Sequence, residues 1–245
     1  MRFPKLTSFL LTGLFAATLH AAPADEIRSR LIQAVPSAKI VSISPSALPG
    51  VYEVVLDGQV IYASADGKLV LQGELLALDG KTVTNLSDQA MAKRRVSVLA
   101  GVDRKDAIVF EAKGKPKAVI TVFTDTDCGY CRKLHQEVPA LNAMGVEVRY
   151  LAYPRSFPQT GAKGGTAAVM ATIWCATDPK TTLTAIKAGE AVTPPQRKGC
   201  VSPVADQFAL GGKLGVHGTP AVFSQKGEQL GGFVTAVDLK KRLGI

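Results

Sequence analysis

Histidine is scarce in this sequence, and a second pair of closely spaced cysteines is missing. Three histidines occur in 245 residues, and beyond residue 21 only His135 and His217 remain. A closed structural zinc site takes four Cys or His ligands. One CxxC and two scattered histidines give at most a partial cluster of Cys128, Cys131 and His135. Half of a zinc site is therefore a rival reading of the cysteine pair, and no metal or organic cofactor is expected. Aromatics are also sparse, at 6%, and none interleaves with the densest basic cluster, Lys93-Arg94-Arg95. That excludes nucleic acid as an expected partner and reads the cluster as a solvated helix face. The one long apolar run, Phe9 to Leu19, falls short of the ~20 residues a membrane-spanning helix needs.

What that run offers instead is export. Arg2 and Lys5 form a basic start, the apolar run follows, and Ala21-Ala22 supplies small residues for cleavage. Residues 1–21 therefore read as a secretory signal peptide cut near Ala21, which exports the mature chain. No cysteine lies near the cut, so a lipid anchor is not indicated. Export also changes how the cysteines are read, because an oxidising compartment permits disulfides. The formal net charge is +9, and loss of Arg2 and Lys5 leaves about +7 on a mature chain long enough for two modest domains.

Residues 22–84 form the first unit. Asp57-Gly58, Asp66-Gly67 and Asp79-Gly80 are tight-turn dipeptides. They separate short β-prone runs at Val51 to Leu56, Gln59 to Ala63, Lys68 to Leu71 and Glu74 to Leu78. An antiparallel meander follows, preceded by a helix over Asp25 to Val35 with Ile27, Leu31, Ile32 and Val35 on one face. The unit has no cysteine, and Tyr52 and Tyr62 are its only aromatics. So small a core is seldom robust alone. Pairing with a second copy through a sheet edge would bury more area, so the unit is expected to form a homodimer. Residues 85–117 read as a linker: a helix over Leu86 to Ala100, capped by Thr84 or Asn85, then a charged connector from Asp103 to Lys117.

From Ala118 to the C-terminus the order is strand, helix, strand, helical insertion, helix, hairpin, helix. Val119 to Phe123 is a buried strand candidate, and Val146 to Tyr153 is a second strand parallel to it. Lys163 to Gly189 is the insertion. A helix over Pro203 to Leu214, a hairpin around Lys226-Gly227 and a helix from Thr235 to Leu243 close the chain. This is a thioredoxin-like order.

Cys128-Gly129-Tyr130-Cys131 sits between the first of these strands and the helix after it. At a helix start, free amide N–H groups and the dipole favour a thiolate. Cys128, nearest that exposed start, is the expected attacking sulfur. Cys131, one turn deeper, is the expected resolving sulfur. Gly129 and Tyr130 help to set the redox potential. Arg132 either favours the thiolate further or faces solvent, and His135 is expected at the surface or just behind the site. If Cys128 and Cys131 form one redox pair, Cys175 and Cys200 remain as a structural pair 25 positions apart. Closing such a loop stabilises by roughly 3 kcal/mol. Thr219-Pro220 enters an apolar strand, where a proline removes a backbone donor. Spacing alone leaves cis and trans open.

Several segments together resemble the DsbC/DsbG family of bacterial periplasmic disulfide isomerases. They are Phe123-Thr124-Asp125, Cys128-Gly129-Tyr130-Cys131, Lys133-Leu134-His135, Val148-Arg149-Tyr150-Leu151-Ala152, Trp174-Cys175 and Gly218-Thr219-Pro220-Ala221-Val222. The resemblance covers nearly the whole mature chain. It implies a cystatin-like α+β dimerisation domain over 22–84, a linker helix, and an α/β thioredoxin-like catalytic domain over 118–245 with a helical insertion. It also implies a cis Pro220 beside the redox pair, Thr219 next to the sulfurs as a substrate-binding backbone, and a Cys175–Cys200 structural disulfide. The implied activity is rearrangement of wrong disulfides in exported proteins, with a membrane reductant of the DsbD type. The rival activities are a DsbG-like reductase or holdase chaperone, and a dithiol oxidase.

Overall fold

The computed structural model describes residues 22–245. The signal-peptide reading falls on residues 1–21 and lies outside the described residues. Helix α1 (Pro23–Ala34) starts on a proline, which suits the first helical position. Ile27 and Leu31, one turn apart, are its buried residues. They pack on a four-stranded antiparallel sheet of β1 (Ile40–Pro45), β2 (Val51–Leu56), β3 (Gln59–Ser64) and β4 (Val70–Gln72), in that spatial order. Asp57-Gly58 makes the two-residue turn between β2 and β3, with Leu56 opposite Gln59 and Gly58 at φ +90°. The paired Val54 and Ile61 bury one face of that hairpin with Ile27 and Leu31. The paired Val55 and Val60 bury the other with Tyr62.

Two expectations for this unit need correction. The run from Glu74 does not extend the meander: β5 (Leu76–Asp79) pairs with β6 (Thr82–Asn85) as a separate hairpin. Strand β1 was not read from the sequence. It carries Pro45 at its end and lies on the sheet edge, where a missing N–H is tolerated.

Helix α2 (Leu86–Ala100) is capped by Asn85, whose side chain accepts from the Asp88 N–H at 2.9 Å. Its basic cluster is not simply a solvated face. Arg94 pairs with Asp57. Arg95 is 4% exposed and donates to the carbonyls of Leu214 and Gly227, both at 3.1 Å. It also pairs with Asp88 at 2.5 Å and lies 4.9 Å over the Phe223 ring. Arg95 thus clamps the linker to the second unit, while Arg94 ties it to the first. Gly227 gives the clearance, since a Cβ there would lie 2.1 Å from the Ala92 carbonyl oxygen.

The second unit is a five-stranded sheet built from β7 (Ile108–Phe110), β8 (Ala118–Thr124), β9 (Val146–Ala152), β10 (Ala221–Ser224) and β11 (Gln229–Gly231), in the order β11-β10-β8-β9-β7. β8 and β9 are parallel and the other pairs antiparallel. β8 is buried along nearly its whole length, as a strand covered on both faces must be. Helix α3 (Gly129–Ala143) makes the β8–β9 crossover and runs through Pro139. The short α4 (Phe157–Thr160) precedes the insertion, which holds α5 (Gly165–Trp174) and α6 (Pro179–Ala188), and α7 (Val204–Lys213) leads to β10. Helix α8 (Ala236–Leu243) closes the chain. β7 lies within the stretch read as a charged connector. Its Ile108-Val109-Phe110 is too short to show periodicity, and pairing with β9 is what makes it a strand.

Candidate active site

The C-terminal end of β8 aims the segment from Asp125 to Cys128 at the start of α3. Asp125, 1% exposed, pins that segment. Its Oδ1 accepts from the Asp127 N–H at 3.0 Å, and its Oδ2 accepts from Arg155 N at 2.9 Å and Nε at 3.0 Å. Arg155 also donates to the Asp127 carbonyl. Cys128 is the N-cap residue of α3, and its Sγ accepts from the Cys131 N–H at 3.3 Å. The first sulfur therefore occupies the position where a helix start best holds an anion.

Thr219-Pro220 is a cis peptide leading into β10, which pairs with β8 through Ala221 and Phe123. The Cys128 thiol donates to the Thr219 carbonyl at 3.2 Å. The Thr219 hydroxyl is buried and has no hydrogen-bond partner among the described residues. When Cys128 ionises, the carbonyl contact loses its proton, and that hydroxyl is the donor free to turn to the anion. Burial pushes the Cys128 thiol up. Hydrogen bonds from Thr219 and Cys131 and the Arg155 charge outweigh it, so Cys128 ionises below the ordinary thiol range. Burial dominates at Cys131 and holds it above that range, although Lys187, the Asp125 backbone and Thr124 act in the opposite direction. An anionic first sulfur above a protonated second one is the arrangement that opens and closes disulfides.

The expected exposure of Cys128 is corrected: the residue is only 4% exposed, because its sulfur turns in toward Thr219 and Cys131. The opening lies beside it at Gly129, where a Cβ would meet nothing within 4 Å. Tyr130, 61% exposed, stacks on Phe233 at 6.2 Å and gives the opening an apolar lip.

His135 is also not at the surface. It is buried, with its ring nitrogens 3.1 Å from the Tyr150 hydroxyl and 3.0 Å from Thr184 Oγ1. Burial, then the Lys187 charge, pulls its pKa down to about 4. With both nitrogens engaged, it is not turned toward the cysteines. Among the described residues no group of three or more His, Cys, Asp or Glu could hold a metal ion. Arg132 is half-exposed and donates to the Thr126 carbonyl at 3.3 Å, so the charge that favours the Cys128 thiolate comes from Arg155 instead. Cys175 and Cys200 are bonded, tying the end of α5 to the segment before α7.

Three residues at this site escaped the sequence reading of the chemistry. Arg155 follows β9 and meets Asp125 only through the parallel β8–β9 pairing. Asp125 carried a signal, its place between strand and CxxC, but that does not show which cation it meets. Lys187 sits in the insertion on α6, 4% exposed, with Nζ donating to Thr124 Oγ1 at 2.9 Å. No local spacing connects it to a dithiol more than fifty residues earlier.

Residues 18–86 match the family described as Disulfide bond isomerase protein N-terminal domain, and residues 104–244 match the Thioredoxin-like domain. The chain is 35% identical over 235 residues to the thiol:disulfide interchange protein DsbC of Escherichia coli K12, covering 96% of this chain and 94% of that protein. It is 36% identical over 239 residues to the DsbC of Salmonella typhimurium, covering 98% and 93%. A disulfide interchange protein from Neisseria gonorrhoeae, solved by crystallography, is 24% identical with a TM-score of 0.48 over 58% of this chain and 96% of that one. The chain belongs to the DsbC family of thiol:disulfide interchange proteins.

Proposed function

We propose that Cys128 is the nucleophile and Cys131 the resolving thiol of a periplasmic disulfide isomerase that works on exported proteins. The Cys128 thiolate attacks one sulfur of a wrong disulfide. A mixed disulfide forms and the other substrate sulfur leaves as a thiolate. In isomerisation a substrate thiolate attacks the substrate sulfur of that mixed disulfide. A new substrate disulfide forms, Cys128 leaves as the thiolate, and no electrons are gained or lost overall. In reduction Cys131 loses its proton and attacks Cys128 Sγ. The substrate leaves with both cysteines reduced, and the enzyme carries the Cys128–Cys131 disulfide. An external thiol reductant of the DsbD type then returns two electrons.

The observation that carries this reading is the Cys128 sulfur at the helix cap, facing Thr219 with Cys131 beneath it. In this reading Thr219 pairs with an extended substrate segment in the manner of strand addition. Export rests on the pattern of residues 1–21, and the Cys175–Cys200 bridge suits an oxidising compartment. Homodimer formation through the unit over 22–84 rests on its apolar surface. Edge strand β4 is exposed along its whole length, and Leu69, Leu71 and Leu78 are all open to solvent.

The test is Cys128→Ser. The variant is expected to lose isomerisation of a scrambled disulfide substrate while keeping its fold; turnover at the wild-type rate refutes the assignment. The resting state separates the rivals, since an isomerase is held reduced and a dithiol oxidase is held oxidised.

A further inference from the structure

Lys187 is a buried cation that the mechanism above does not use. It comes from α6, in the insertion, and its Nζ reaches the end of β8 from beneath. There it donates to Thr124 Oγ1 at 2.9 Å and to the Asp125 carbonyl at 3.4 Å, and it lies 5.8 Å from the centre of the Tyr150 ring. These partners suit an ammonium: two acceptors and an aromatic face.

The same two residues, Thr124 and Asp125, lie near enough to Cys131 to favour its anion. Because Thr124 Oγ1 accepts from Lys187, its own O–H is free to donate to a Cys131 anion. Burial lowers the Lys187 ammonium below its ordinary range, and negative charge on Asp125, on Cys128 or, once it ionises, on Cys131 opposes that only in part. The other ionisable groups around it are Arg132 and His135 on α3 and Tyr150 on β9, with Glu111 and Lys113 on the rim of the same cavity of about 490 Å³. Lys187 and His135 both line that cavity.

We infer that Lys187 is a positioning residue that acts through the Thr124 hydroxyl to favour the Cys131 thiolate, and so sets how a mixed disulfide divides between reduction and isomerisation. The inference rests on the roles given above to Cys128 and Cys131. In the step concerned, Cys131 gives up its proton, its sulfur bonds to Cys128 Sγ, and the bond from Cys128 to the substrate breaks. The leaving substrate thiolate takes up a proton. Lys187 supplies charge and orientation and is unchanged at the end. Without it the resolving thiolate is scarcer, the mixed disulfide lasts longer, and more of it is resolved by substrate thiols.

The experiment is rapid-mixing kinetics of the reduced full chain with a peptide disulfide, with acid trapping of the Cys128 adduct between pH 5 and pH 9. Lys187→Met is expected to slow Cys131's attack about tenfold at pH 7, the scale of one neighbouring charge in a buried site. The rise of that step should move to higher pH, and the loss should fall on the second step rather than the first. Thr124→Val should repeat the effect and Thr124→Ser should restore the wild-type profile, which keeps the test open if Lys187→Met fails to fold. A second step with unchanged rate and pH profile in folded Lys187→Met or Thr124→Val overturns the inference. Absence of any Cys128 adduct in the wild-type chain overturns instead the assignment on which it rests.

Discussion

The two units close their cores to different degrees. In the thioredoxin-like unit the sheet is packed on both faces: Ile120, Val122, Val148 and Val222 are fully buried, as are Leu134 and Leu141 of α3 and Ile173 of α5. In the N-terminal unit the sheet buries Val54, Ile61 and Ala63 on one side and Val55, Val60 and Tyr62 on the other, yet beside it Leu69 stays 73% and Leu78 77% exposed. A site that must hold two sulfurs in different protonation states needs the first kind of scaffold. A surface that must meet a second protein copy is served by the second. The linker helix joins them by burying the charge of Arg95 in the thioredoxin-like unit and by packing Val98 and Leu99 against Phe123, Leu151 and Leu214.

Three experiments sharpen or break that contrast. The largest effect is expected from Phe223→Ala, which empties a fully buried position between Phe123 and Arg95. It should lower unfolding stability by about 3–5 kcal/mol in denaturant titration, whereas Leu78→Ala measured on dilute monomer should change it by less than about 0.5 kcal/mol. Equal losses at the two positions would remove the contrast. Next, Leu71→Asp combined with Leu78→Asp should weaken self-association about 100-fold, roughly 3 kcal/mol in sedimentation equilibrium, and leave Cys128 as reactive toward a small disulfide as before. An unchanged association constant would place the dimer contact elsewhere. The smallest effect concerns His135, held neutral with a pKa of about 4. Its ordinary unfolded pKa lies near 6.5, so the unfolded chain binds the proton first. The stability that neutral His135 contributes is intact above that pH and falls as pH drops toward 4. Between pH 7 and pH 5 the loss should be about 2 kcal/mol, and His135→Gln should flatten that slope.

Much of this arrangement is legible in the amino-acid order, and what is not has a physical pattern. The run Val119 to Phe123, the CxxC behind it and the second run at Val146 are strong local signals. A continuous apolar strand and a helix start are set by neighbouring residues. The Asp57-Gly58 turn fixes its hairpin for the same reason. Strands β1 and β7 were missed because short edge strands are made by their partners, with Val54 opposite Ile43 and Tyr150 opposite Ile108. The linker helix was found to its ends, yet the burial of Arg95 was not, since it depends on carbonyls more than a hundred residues away. At the candidate site the cysteines and Thr219-Pro220 stand out as motifs. Arg155 and Lys187 do not, because electrostatics across the parallel strands and the insertion is a property of the folded chain. The inward turn of the Cys128 sulfur belongs to the same class.

The central claim is that Cys128 ionises easily while Cys131 beneath it does not. The direct measurement is the pH dependence of thiolate absorbance near 240 nm in the native reduced protein, with single-cysteine variants to assign each transition. The account predicts that Cys128 titrates below a thiol in the unfolded chain and Cys131 above it. A Cys128 transition at or above the unfolded value would contradict it.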